Sequence, residues 1–424
     1  MGAKCIHKEN RWLPATPSVF NAFIFPLFHV IISPGGGMKF LHISDLHFGK
    51  KLNEFPLIED QQFILYKILQ CIDFQKPDAV LIAGDIYDKG VPSVEAVKLF
   101  DWFLNRLSEK HVQVYIISGN HDSPERMTCG ASLMESSGIH FAPVYDGTSC
   151  KYELQDKNGP VNIYLLPFIK PAVVRAALET LGKTDEAEKI ITYDDVVAAA
   201  ISQMNVDWSK RNVLVAHQFV TGSIRCDSEE ISVGGSDNIN SALFEKFDYV
   251  ALGHLHGCQK AGGENIRYSG SPLKYSFSEV NHKKGGLIVE LDAKEDLKVE
   301  QVLFEPHHDL RCIKGRYEEI TLKKYWEEMG DGINDYLHIT LTDEEDIPEG
   351  FARLQLIYKN LVSLEYDNSR TQKDNQIEGA AEVEKKSPLD LFEQFYELQN
   401  NQKFSEEQKK LSESLIEEIW GGAK

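Results

Sequence analysis

Residues 38–50 read MKFLHISDLHFGK. Phe40–Ile43 is a short apolar run of the kind a buried strand requires, and Asp45-Leu46-His47 follows it at once. Side chains two apart on an extended segment point to the same side, so this strand ends by delivering a carboxylate and an imidazole together.

The same pattern recurs down the chain. Apolar runs at Ala79–Ala83, Val112–Ile117, Ile163–Leu166, Val213–Ala216 and Tyr249–Leu252 read as further buried strands. Amphipathic stretches such as Glu59–Phe74, with Phe63, Ile64, Ile68 and Ile72 on one face, and Val94–Leu107 read as the helices between them. After the second strand come Gly84-Asp85, with Asp88 three residues on. After the third come Gly119-Asn120-His121-Asp122. His217 follows the fifth, and Gly253-His254-Leu255-His256 the sixth. In an open α/β sheet the strand C-termini line one edge, where ligands bind. Five strand ends that each deliver Asp, Asn or His therefore predict one site.

The donor set defines its chemistry. Four His (His47, His217, His254, His256), two Asp (Asp45, Asp85) and Asn120 suit borderline divalent cations such as Mn²⁺, Fe²⁺ or Zn²⁺. Calcium takes more oxygen, and structural zinc takes thiolate. A carboxylate can bridge two cations, and such a pair clamps a phosphoryl group and activates water. Taken singly, each residue has an ordinary structural explanation: His47 or His217 as a hydrogen-bonded core histidine, Asp85 as a helix cap. Jointly, in chain order and each behind a strand, they do not. His121 stands apart as a proton donor to a leaving alkoxide, with Asp88 holding its ring. Arg126 and the Ser269-Gly270-Ser271 backbone are candidates for flanking phosphates. Cys258, close behind His256, is expected to be a small buried thiol.

Composition bounds the rest. The 424 residues carry 45 Lys and Arg against 65 Asp and Glu, a net charge of −20. That argues against a protein coating nucleic acid through its general field, so a polyanionic substrate needs a local cationic site. Seven Cys with no C-x-x-C pair argue against a disulfide framework, and a reducing, cytoplasmic setting is expected. Phe20–Ile32 is apolar at 10 of 13 positions but is broken by Asn21, Pro26 and His29. Residues 1–37 are read as an extension, disordered or non-native, ahead of a start at Met38. Met38 to residue 310 forms the main domain, closed by a hairpin at Leu287–Leu291 and Leu297–Phe304. Residues 311–368 form a small α/β unit around Leu337–Leu341, Phe351–Lys359 and Leu361–Tyr366. Residues 369–386 are a polar linker, and 387–424 two amphipathic helices that either dock on their own domain or grip a partner.

Together, Asp45-x-His47, Gly84-Asp85-x-x-Asp88, Gly119-Asn120-His121-Asp122, His217 and Gly253-His254-x-His256 resemble the calcineurin-like metallophosphoesterases. ISGNHDSPER at 117–126, ALGHLH at 251–256, YSGSPLKYSFSE at 268–279 and PLDLFEQFYELQN at 388–400 resemble the bacterial SbcD-type nuclease branch. The resemblance implies a four-layer α/β/β/α sandwich with a small α/β capping domain and C-terminal helices. It implies one Mn²⁺ on Asp45, His47, Asp85 and His256, a second on Asp85, Asn120, His217 and His254, and His121 as catalytic acid. It further implies 3′→5′ exonuclease and hairpin endonuclease activity on DNA, in repair, recombination and replication. The implied assembly is a homodimer within a heterotetramer, with an SbcC-type ATPase held through residues 387–424. The chain has no G-x-x-x-x-G-K-[ST] loop, so ATP dependence would come from that partner. A small-molecule phosphodiesterase or phosphatase of the same fold is the alternative. A non-catalytic scaffold fits a complete donor set poorly.

Overall fold

The computed structural model describes residues 36–229 and 238–368, with scattered positions between 371 and 415. The apolar run Phe20–Ile32 and most of the linker and C-terminal helices lie outside the described residues.

Two six-stranded sheets make the centre. The first contains β1 (Met38–Ile43), β2 (Ala79–Ala83), β3 (Gln113–Ile117) and β4 (Ile139–Phe141), all parallel. It is extended beyond β1 by an antiparallel hairpin, Gly285–Leu291 and Leu297–Leu303. The second has β5 (Cys150–Asp156) at one edge, antiparallel to β6 (Gly159–Leu166). Then come β7 (Arg211–His217), β8 (Tyr249–Gly253) and Ile266–Tyr268, parallel to β6, with Gln259–Lys260 at the other edge.

The strands read as unbroken apolar runs because both faces are covered. Phe40, Leu81, Ala83, Val213, Val215, Tyr249 and Ala251 point into a core between the sheets. Their alternates on the first sheet, Leu41, Ile43, Val80 and Ile82, pack with Ile64, Ile68, Phe100 and Phe103 of helices α1 (Ile58–Gln75) and α2 (Val94–Glu109). Leu214, Ala216, Val250 and Leu252 pack with Val174 and Leu178 of α3 (Pro171–Thr180) and Val196 of α4 (Tyr193–Gln203). This is the expected four-layer α/β/β/α arrangement. His42 is buried in the middle and ties the sheets together. Its Nδ1 lies 2.8 Å from the Tyr249 hydroxyl and its Nε2 3.2 Å from the Leu252 carbonyl. Burial pushes it down to about 3, so it stays neutral.

The third sheet is parallel and three-stranded: Leu310–Gly315, Tyr336–Leu341 and Leu361–Tyr366, with helix α5 (Gly350–Ile357) on it. The first of these strands is absent from the sequence expectation. LRCIKG buries only Leu310 and Ile313 and carries two cations, so it lacks the apolar run. Asp60 of α1 joins this sheet to the main body. Its buried carboxylate accepts hydrogen bonds from His308 N (3.2 Å) and Nδ1 (2.9 Å) and from the Tyr336 hydroxyl (2.8 Å). No helix among the described residues is long and apolar enough to cross a membrane.

Candidate metal centre

β1, β2 and β3 of one sheet and β7 and β8 of the other end at the same place. The sequence pattern suggested one sheet edge; two facing sheets supply it. Asp45, His47, Asp85, His217, His254 and His256 are all buried there. Asp45, His47, Asp85 and His254 have left-handed backbones, with φ of 55°, 44°, 50° and 103°. Non-glycine residues rarely adopt these angles, and such strain persists where the surroundings impose it. The glycines beside them are there for space. A Cβ at Gly84 would strike the His217 ring, one at Gly119 the Asp85 carboxylate, and one at Gly253 the Ala83 carbonyl.

Asp85 sits at the centre. Its Oδ1 accepts from His121 N at 3.0 Å. Its Oδ2 faces His217 Nε2 at 3.4 Å, His47 Nε2 at 3.6 Å and His121 Nε2 at 3.9 Å. On one side His47 Nε2 and His256 Nε2 stand 3.0 Å apart, in a group with Asp45. On the other, Asn120 Oδ1 lies 3.0 Å from both His217 Nε2 and His254 Nδ1. Donor atoms at right angles around a cation, with bonds of about 2.1 Å, stand about 3 Å apart, so these spacings fit ligation. The residues therefore fit a divalent-cation centre.

The electrostatics leave most of the donors already deprotonated, with His217 the exception. Burial pushes His254 down to about 3 and holds His47 well below the usual histidine range. Burial also opposes the charge on His217. Asp85, through charge and hydrogen bond, overcomes it and with Asp45 and the Ala83 carbonyl lifts that imidazole to about 9. Asp85 is held well below the carboxylate range: burial resists, and His217, His47 and His121 prevail. Burial raises Asp45 to about 6.

His121 Nδ1 lies 2.9 Å from the backbone carbonyl of Asp88. It is the Asp88 carbonyl that meets this ring, and the Asp88 carboxylate pairs with Lys50 Nζ at 2.8 Å. The phosphate candidates fare differently. Arg126 is exposed on the single-turn helix Pro124–Met127. Ser269 and Ser271 are buried and committed internally, to Ser44 Oγ (2.8 Å) and to Lys284 Nζ (2.8 Å). Gly270, at φ 75°, lies against the His256 carbonyl and Cys258 N. Through these contacts the three residues support the His256 loop. Cys258 is exposed, contrary to expectation.

Sequence reasoning missed the residues behind the ligands. Asp122 accepts from the backbone N–H groups of Ile86 (3.0 Å), Tyr87 (2.9 Å) and Gly119 (2.9 Å), locking together the loops that carry Asp85 and Asn120. Gln61 of α1 donates to the His47 carbonyl (2.7 Å) and accepts from Gly49 N (3.0 Å). Asp60 and Gln61 are the polar residues among the otherwise apolar buried positions of α1, and that was the available signal for Gln61.

A four-layer sandwich with a His-, Asp- and Asn-lined centre at its strand ends defines a metallophosphoesterase. The chain belongs to the calcineurin-like phosphoesterase family, whose family model matches residues 38–258. A second family model, described as type 5 capsule protein repressor C-terminal domain, matches residues 306–400. Among curated proteins, the SbcD subunit of the SbcCD nuclease of Staphylococcus epidermidis is 31% identical over 378 residues, 88% of this chain and 96% of that one. Among solved structures, a dimetal phosphatase from Danio rerio is 12% identical with a TM-score of 0.38, covering 63% of this chain and 97% of that one. A Thermus thermophilus protein is 12% identical with a TM-score of 0.36, covering 63% and 99%. The protein is an enzyme, a metal-dependent phosphoesterase.

Proposed function

We propose that the protein is the nuclease subunit of an SbcCD-type complex, a Mn²⁺-dependent DNA exonuclease and hairpin endonuclease that works with an SbcC-type ATPase in DNA repair, recombination and replication. The observation that carries phosphodiester hydrolysis is the single Asp85 oxygen shared between two donor groups. The choice of DNA rests on similarity to the staphylococcal nuclease subunit along most of both chains.

Asp45, His47, Asp85 and His256 would hold one cation, and Asp85, Asn120, His217 and His254 the other. The cation pair would neutralise the phosphate and supply an activated water. His121 gives its Nε2 proton to the leaving 3′ oxygen, and the Nδ1 hydrogen bond to the Asp88 carbonyl fixes the direction in which Nε2 points. Asp122 holds the Asp85 and Asn120 loops in register throughout. In this reading residues 38–310 are the nuclease domain, 311–368 the cap, 369–386 the linker and 387–424 the partner-binding helices, in a homodimer within a heterotetramer. The described positions of the tail support a helix pair for a partner. Gln408 Nε2 donates to the Tyr396 hydroxyl at 2.8 Å and Lys409 pairs with Glu393 at 3.3 Å, while Leu411 and Leu415 stay exposed.

The test is cleavage of an end-labelled DNA hairpin with Mn²⁺, with Mg²⁺ and with chelator, beside His121→Ala. The proposal expects Mn²⁺-dependent cutting that falls about 10²-fold or more in the variant. Intact hairpin alongside hydrolysed bis-nitrophenyl phosphate would refute DNA as substrate in favour of a smaller ester. Hydrolysis of neither would refute catalysis.

A further inference from the structure

His256 is held differently from every other histidine of the centre. All three of its polar groups apart from Nε2 are taken up by charged or hydroxyl side chains. Its backbone N–H donates to Glu229 Oε1 at 2.6 Å. Its carbonyl accepts from Lys284 Nζ at 2.7 Å. Its Nδ1 lies 2.7 Å from Ser228 Oγ.

The proton directions follow from chemistry. Glu279 carries a carboxylate that can only accept, and Ser228 Oγ donates to its Oε1 at 2.5 Å. A hydroxyl has one proton, so the same oxygen must accept from His256 Nδ1. The chain therefore runs from His256 Nδ1–H to Ser228 Oγ–H to Glu279. The imidazole is fixed as the tautomer with a proton on Nδ1 and a lone pair on Nε2, the atom that faces His47.

The far end is anchored as firmly. Lys284 pairs with Glu279 Oε2 and gives its other two protons to the His256 carbonyl and Ser271 Oγ. Tyr275 N donates to Glu279 Oε1 at 3.2 Å. Glu279 and Lys284 are buried, at 0% and 7% exposure, and a buried ion pair costs stability unless its remaining hydrogen bonds are made. Here all three ammonium protons have acceptors. A charged pair so completely satisfied, and spent on both the ring and the backbone of one ligand, is an orienting device.

We infer that Glu279, acting through Ser228 and braced by Lys284, is the positioning residue that sets the tautomer and orientation of His256 toward a divalent cation. A histidine ligand whose second nitrogen donates into a carboxylate network is a stronger donor, and loss of such outer partners lowers metal affinity by about 10- to 100-fold. The inference rests on the two-cation reading above and adds which residues tune one of its two halves.

The test is calorimetric titration of Mn²⁺ into chelator-stripped full-length protein, for wild type, Glu279→Gln, Ser228→Ala and Ser228→Thr, with the melting temperature of each metal-free variant. Ser228→Ala leaves the Glu279–Lys284 pair intact, so it reports on the relay even where Glu279→Gln folds poorly. Wild type is expected to take two equivalents. In Glu279→Gln and Ser228→Ala one equivalent should weaken about 10- to 100-fold while the other stays within about twofold, and Ser228→Thr should restore it. Unchanged affinities in the folded Ser228→Ala protein would overturn the inference. So would equal weakening of both equivalents alongside a lowered melting temperature, the mark of a merely structural role. A wild type that takes up no Mn²⁺ would overturn the two-cation reading itself.

Discussion

The raised pKa of His217 makes cation binding a proton exchange. In the metal-free protein its imidazole titrates at about 9, so at neutral pH it is protonated. Its Nδ1 hydrogen is committed to the Ala83 carbonyl at 2.8 Å. The proton to be displaced therefore sits on Nε2, between Asp85 Oδ2 at 3.4 Å and Asn120 Oδ1 at 3.0 Å, where a cation would lie. Affinity for that cation should rise tenfold per pH unit until His217 is deprotonated, about 30-fold between pH 6.5 and 8.0. Asp45, raised to about 6, belongs to the other cation and adds a proton exchange of its own there below that pH. The fold shows the mirror effect. The His217 contribution to metal-free stability is complete below its ordinary value of 6.5 and is lost as pH rises through about 9. The assay is calorimetric titration of Mn²⁺ at the two pH values, in buffers of different ionisation enthalpy, to count released protons. Affinity that is flat from pH 6.5 to 8.0, with no proton released, would refute the assignment of His217 Nε2 as a donor to the cation.

Two further outcomes follow from packing. Gly119→Ala puts a methyl group into the Asp85 carboxylate; it should cost about 1–3 kcal/mol in urea unfolding and weaken cation binding at Asp85, whereas wild-type affinity would contradict the space argument. Asp60→Ala strips acceptors from His308 and Tyr336; a loss of about 2–3 kcal/mol with unchanged Mn²⁺ affinity is expected, since Asp60 touches none of the centre's donors.

How much of this was legible depended on how local each signal is. The donors could be read because each follows its own strand within a few residues, and the glycines that make room for them are adjacent in sequence. β1, β2 and β8 carry continuous apolar runs because both faces are buried, and they were found nearly to the residue. β5 was missed for the opposite reason: it is an edge strand with no fully buried position. That the site lies between two sheets was illegible, since parallel strands of either sheet look alike. The support of His256 was illegible too. Ser228, Glu279 and Lys284 lie 23 to 28 residues from His256 in short or irregular segments, and nothing in Ser-Gly-Ser distinguishes a buried brace from a phosphate loop. That Asp88 meets His121 through its carbonyl was illegible, because a turn can offer its carbonyl as readily as its side chain.

The most direct measurement is the anomalous difference map of crystals soaked in Mn²⁺. Two peaks flanking the Asp85 carboxylate are expected, one against Asp45, His47 and His256 and the other against Asn120, His217 and His254. A single peak, or none at Asp85, would contradict the two-cation centre on which the proposed hydrolysis depends.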